Sequence, residues 1–136
     1  MELRFLVRGG DFSQAGEASS KIKRALQQIG LVPALVRRVA IAAYEAEINI
    51  VIHAACGSLQ LTIWTDAVEV MAEDSGPGIK DVGLAMQEGY STAPETAREM
   101  GFGAGMGLPN MRRNADQMSV NSMVGVGTTV RMLFNI

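Results

Sequence analysis

Three polar side chains stand in one line on a segment that is otherwise apolar. Glu45, Asn49 and His53 are spaced four residues apart, which places them on one face of a helix. A carboxylate, an amide and an imidazole so placed need partners, because an unpaired buried polar group costs about 1–3 kcal/mol. Taken alone, the line reads equally well as a satisfied polar seam between helix and sheet. A fourth group, Asp74, follows an apolar strand pattern and precedes Gly76-Pro77-Gly78. Its carboxylate projects at a strand end where the backbone leaves room for a flat ligand, and a group that only accepts hydrogen bonds suits the exocyclic amine of adenine. The same residues also read as ordinary turn chemistry.

Glycine occupies every second position of the stretch Gly101-Phe-Gly-Ala-Gly-Met-Gly107, which runs into Leu108-Pro109. A dinucleotide fingerprint fails here on register, because its last glycine would fall on Met106, Leu108 or Asn110. A P-loop fails because no lysine enters the following helix. What remains is a loop whose amides a ligand can approach closely, feeding a helix N-terminus that favours an anion, with Pro109 tolerated in the first turn. A flexible linker is the alternative for this stretch by itself.

These groups must be positioned by a single domain, since 136 residues suffice for one core and little more. The chain is 48% hydrophobic and 19% charged, which is globular rather than disordered. A net charge of −2 lacks the basic footprint of a nucleic-acid binder. Cys56, the single cysteine, excludes an internal disulfide and a cysteine-based metal cluster. The opening MELRFLVRGG has no apolar signal core, and the longest apolar run, residues 39–44, is too short to span a bilayer. The expectation is a cytoplasmic protein without a membrane segment.

Alternation over residues 1–8, with Leu3, Phe5 and Val7 against Glu2, Arg4 and Arg8, predicts a strand in which Leu6 is the exception. Apolar spacing of three and four predicts helices over 13–29, stopped by Gly30, and from Pro33 to just before Gly57. Residues 59–65 and 68–72 flank Asp66-Ala67 as a hairpin, 80–88 is a short helix, and 108–118 is a longer one. Strands over 119–123 and 128–134 close the chain. Residues 89–106 form a long loop, and a loop of that length in so compact a domain is usually functional. The order predicts an α+β two-layer sandwich, with a mixed, mostly antiparallel sheet carrying helices on one face.

Taken together, the four segments resemble the nucleotide site of the GHKL, or Bergerat-fold, ATPases, the superfamily of gyrase, the large heat-shock chaperones, histidine kinases and mismatch-repair ATPases. Glu45-x-x-x-Asn49 matches the N box and Asp74-x-Gly76-x-Gly78 the first glycine box. Gly103-x-Gly105-x-Gly107-Leu108 matches the second, and Gly127-Thr128 the closing element. Within the superfamily the chain is most similar to the small bacterial anti-sigma-factor serine/threonine kinases. It shares their N-box form, Glu45-Ala46 through Asn49 to His53, and a lid entry at Tyr90-Ser91-Thr92. It departs from them at Ala93, where a lysine is usual, and in a longer lid.

That resemblance implies a histidine-kinase-like ATPase domain over residues 1–136, with an ATP lid at about 89–106 and ATP and Mg²⁺ as cofactors. It implies that Asn49 ligates Mg²⁺ through a hard oxygen and that Glu45 orients or deprotonates the attacking hydroxyl. Asp74 reads adenine with Thr128 or Thr129 beside it, while His53, Gly76, Gly78 and Ile79 are further cofactor-binding residues. Gly103, Gly105 and Gly107 wrap the phosphates, Met106 and Leu108 are further nucleotide-binding residues, and Arg98 is the lid cation for the γ-phosphate. The implied activity is phosphorylation of Ser or Thr on a STAS-type antagonist, with sequestration of a sigma factor as a further role and a homodimer or hetero-oligomer as the expected assembly. Two alternatives stay open: an ATP-gated binding module without phosphotransfer, and a detached histidine-kinase catalytic domain whose acceptor histidine lies in another protein.

Overall fold

A computed structural model of the chain describes residues 1–87 and 107–136. Strand β1 (Glu2–Arg8) keeps the predicted alternation: Leu3, Phe5 and Val7 turn toward the core, and Leu6 turns away and is 83% exposed. A short 3₁₀ turn at Phe12–Gln14 then precedes α1 (Glu17–Gln28). The helix starts later than its apolar spacing predicts, because Gly16 has φ of 95°, a left-handed conformation that glycine takes without strain and a helix cannot contain. Ala18, Ile22 and Leu26 form its buried stripe.

Helix α2 (Pro33–His53) is the longest element and the centre of the domain. It packs against α1 on one side, against the sheet beneath it, and against α4 (Gly107–Asn114) on another side. Three packed sides explain why its buried residues do not form one stripe. It ends at His53, short of Gly57, because β2 (Cys56–Ile63) has already begun. A side chain at Gly57 would have to overlap the Glu73 carbonyl and Ile50.

The hairpin of β2 and β3 (Ala67–Ser75) forms as predicted; both strands extend further at the open end, while β2 stops at Ile63 rather than 65. The predicted helix over 80–88 contracts to one turn, α3 (Val82–Ala85), capped by Asp81, which accepts the Leu84 N–H at 3.0 Å. Helix α4 stops at Asn114 rather than 118, since β4 (Gln117–Met123) takes residues 117 and 118 into the sheet. Strand β5 (Gly127–Asn135) completes a sheet of order β1-β2-β3-β5-β4. Every pairing in it is antiparallel, the far end of the expected mostly antiparallel arrangement.

Leu59, Leu61, Val68, Val70, Met132 and Phe134 are fully buried beneath the helices. The other face carries alternate polar residues such as Arg4, Gln60, Glu69 and Arg131, the last two 3.7 Å apart. The result is two layers with the helices on one side. No helix among the described residues is long and apolar enough to cross a membrane.

Candidate functional site

Helices α2 and α4 lie antiparallel, and three contacts mark their seam. Arg38 donates through Nε to the Asn114 carbonyl at 2.9 Å and pairs with Asp116 at 3.0 Å. Seven residues further along α2, Glu45 Oε1 accepts a hydrogen bond from Asn110 Nδ2 at 3.1 Å. Four residues beyond that, Asn49 faces the first residue of α4. A Cβ placed on Gly107 would lie 3.0 Å from Asn49 Oδ1, so the absence of a side chain there lets the start of α4 approach the amide.

Glu45 and Asn49 are both half-buried. Burial pushes the Glu45 carboxyl above its ordinary value, and the Asn110 hydrogen bond draws it part of the way back. The result is a carboxylate more basic than one in water. It lines an open groove of about 350 Å³ between α1 and α2, bordered by Ser19, Ser20, Lys23, Ile41 and Tyr44. The Asn49 oxygen is a hard donor suited to a hard cation. Among the described residues no group of three or more His, Cys, Asp or Glu could hold a metal ion. A cation beside Asn49 would therefore draw most of its ligands from phosphate oxygens and water.

The second half of the site lies at the end of β3. Asp74 pairs with Thr128 across the β3–β5 ladder, and its Oδ1 accepts the Thr128 N–H at 3.2 Å. A side chain on Gly127 would overlap the Asp74 carbonyl, so glycine is what allows β5 to begin there. Burial raises the Asp74 carboxyl above its ordinary value, and the Thr128 N–H lowers it in part. Gly78 has φ of 76° and leaves no room for a Cβ against the Met123 carbonyl, which brings the 76–79 turn onto the β4–β5 connection. There Ser122 Oγ accepts the Ile79 N–H at 2.7 Å and shares a hydrogen bond with Thr128 Oγ1 at 2.9 Å.

The structure thus brings together Asp74, Gly76, Gly78, Ile79 and Thr128, and separately Glu45, Asn49 and Gly107. Leu108 is buried and anchors α4 in the core. Thr129 is not at the site: it pairs with Glu73, and the strand alternation sends it to the opposite face from Thr128. His53 closes α2 as an exposed side chain, although the protein packed on one side of it holds its imidazole below the ordinary value. Arg98, Gly103, Gly105, Met106 and the lid at about 89–106 lie outside the described residues.

Three participants escaped the sequence reading. Glu47 is buried and accepts the backbone N–H groups of Gly16, Ala18 and Ser19 at 2.9–3.1 Å. Its sequence signal was present, a charged residue amid apolar neighbours, but it lay off the Glu45 face. Asn110 and Ser122 carry no local pattern, because each meets its partner only across a tertiary contact.

A family described as a histidine kinase-like ATPase domain matches residues 11–134. The chain is 33% identical over 100 residues to the serine/threonine-protein kinase RsbT of Bacillus subtilis, covering 71% of this chain and 69% of that protein. It is 31% identical over a 140-residue alignment to an anti-sigma F factor of Caldanaerobacter subterraneus, covering 97% of this chain and 90% of that protein. Among solved structures, the mycobacterial sensor histidine kinase MprB superposes with a TM-score of 0.57 at 14% identity, over 98% of this chain and 97% of that one. That likeness is one of fold.

Proposed function

Since the chain belongs to the histidine kinase-like ATPase domain family, we propose that it is an ATP-dependent serine/threonine kinase of the anti-sigma regulatory type. The phosphoacceptor in this reading is a STAS-type antagonist in the cytoplasm, with sequestration of a sigma factor as a further role. The observation that carries the reading is the α2–α4 seam. A basic, half-buried carboxylate and a hard amide oxygen sit four residues apart, beside the start of α4 at Gly107.

Asp74 would accept from the adenine amine, with Thr128 holding its other oxygen. The Asn49 oxygen would hold Mg²⁺, which when bound neutralises phosphate charge. Glu45 would take the proton of the acceptor hydroxyl as that oxygen bonds to the γ-phosphorus and the bond to the β-phosphate oxygen breaks, releasing ADP. Burial favours this role, since a base works best when its pKa approaches the working pH.

The deciding experiment incubates the protein with Mg-ATP and candidate STAS-type partners and maps the phosphate by mass spectrometry. Phosphoserine or phosphothreonine on the partner is expected. ATP binding with no transfer would favour the gated binding module, and acid-labile phosphohistidine on a partner would favour a detached histidine-kinase domain. Either outcome would overturn the proposal.

A further inference from the structure

We infer that Asn110 and Arg113 of α4 act as positioning residues for Glu45: Arg113 sets which way the Asn110 amide faces, and that amide sets the carboxylate. The inference rests on Glu45 being the base.

The Asn110 side chain is bonded at both ends. Its Oδ1 accepts from Arg113 Nη1 at 2.9 Å, and its Nδ2 donates to Glu45 Oε1 at 3.1 Å. Its backbone carbonyl also accepts from Asn114 Nδ2 at 2.8 Å, one turn further along. Turning the amide over would set an acceptor against the carboxylate and a donor against the guanidinium, so both contacts fail at once. Arg113 is always charged and donates only, which makes it a one-way latch.

The hold on Glu45 is through one oxygen. Oε1 is engaged and Oε2 makes no hydrogen bond among the described residues, so the carboxylate is aimed while keeping lone pairs for a hydroxyl proton. Asn110 also stands three residues after Gly107 on the same side of α4, where Gly107 meets Asn49. One short helix therefore registers both the amide oxygen and the base. Positioning of this kind matters because small misplacements of a reacting group cost large factors in rate.

The test compares Asn110→Leu, which keeps the size and branching but removes the donor and adds no charge, with Arg113→Gln at an exposed position. Single-turnover phosphotransfer and ATP affinity are measured on the intact protein. Asn110→Leu should lower the transfer rate on the order of ten- to a hundredfold and Arg113→Gln roughly three- to tenfold, with ATP Kd nearly unchanged. In a Glu45→Gln background, Asn110→Leu should then cost little further. A transfer rate unaffected by either variant, an ATP Kd that weakens in proportion to the rate, or equal cost with and without Glu45 would overturn the inference. Wild-type transfer by Glu45→Gln alone would instead overturn the base assignment beneath it.

Discussion

Glu45 and Glu47 stand two residues apart on α2 and both border α1, but they take their hydrogen bonds from different helices. Glu47 is 2% exposed at the α1–α2 seam, where three backbone N–H groups at the start of α1 take up both of its oxygens. Glu45 is half-buried, borders the open groove between α1 and α2, and among the described residues accepts one hydrogen bond, from Asn110 of α4. Two residues along a helix is a rotation of about 200°, which turns Glu47 inward under the start of α1 and leaves Glu45 at the groove, within reach of α4. The difference teaches that donor count separates the two glutamates. A carboxylate with both oxygens engaged by backbone amides holds a helix start in place. One that keeps lone pairs near solvent can take a proton.

The comparison breaks most sharply at Glu45. Replacing Glu45 by Ala should reduce phosphotransfer on the order of 10²–10⁴-fold while ATP binding and the unfolding midpoint hold, as single-turnover kinetics and a thermal melt would show. A wild-type rate in that variant would make both glutamates structural. The reciprocal change, Glu47→Ala, strands three backbone donors in the interior and should cost about 2–3 kcal/mol of stability in urea unfolding, with little loss of transfer per folded molecule. A stable Glu47→Ala protein that cannot transfer phosphate would reverse the two roles.

At the other end of the site, Asp74→Asn should weaken ATP binding by about 1.5–3 kcal/mol, tenfold or more by calorimetry. Protonation should act in the same direction. Because burial raises the Asp74 carboxyl, ATP affinity should fall as pH drops, at a pH higher than an ordinary aspartate would give, and the asparagine variant should lose that pH dependence. Buried cost and ligand need have opposite signs here. Ionised Asp74 is disfavoured by the folded protein alone, so folding stability gains slightly from its protonation while adenine binding loses. The smallest effect is expected for Ser122→Ala, which removes the acceptor for Ile79 N–H and the link to Thr128; about 1 kcal/mol in ATP affinity is the expected loss. An effect larger than that of Asp74→Asn would move the recognition centre from the carboxylate to the turn.

Much of this was legible in the chain. The period of two in residues 1–8 and the three-and-four spacing after Pro33 placed β1 and α2 well, because burial on one face leaves a trace at every turn of the backbone. Glu45, Asn49 and Asp74 stood out as polar groups inside or beside apolar runs, where a reason for them is required. The ends of elements were less legible. Helix α4 stops at Asn114 although Ala115 and Met118 continue its apolar spacing, since Met118 is taken instead by the β4–β5 ladder opposite Met132. Thr128 and Thr129 were indistinguishable until the register with Asp74 and Glu73 separated their faces.

By itself the sequence determined which residue types occur at which local spacing, and so the class of fold and the family of site. Those properties are periodic and short-range, and one strand or helix is enough to express them. Only the tertiary structure decided which of two glutamates on one helix has both oxygens engaged by donors, that Asn110 reaches Glu45 across 65 positions, and that Ser122 joins the 76–79 turn to Thr128. Such pairings are chosen by how the helices cross and how the strands register. No local pattern carries them, because each partner looks ordinary until the other is brought within hydrogen-bond distance.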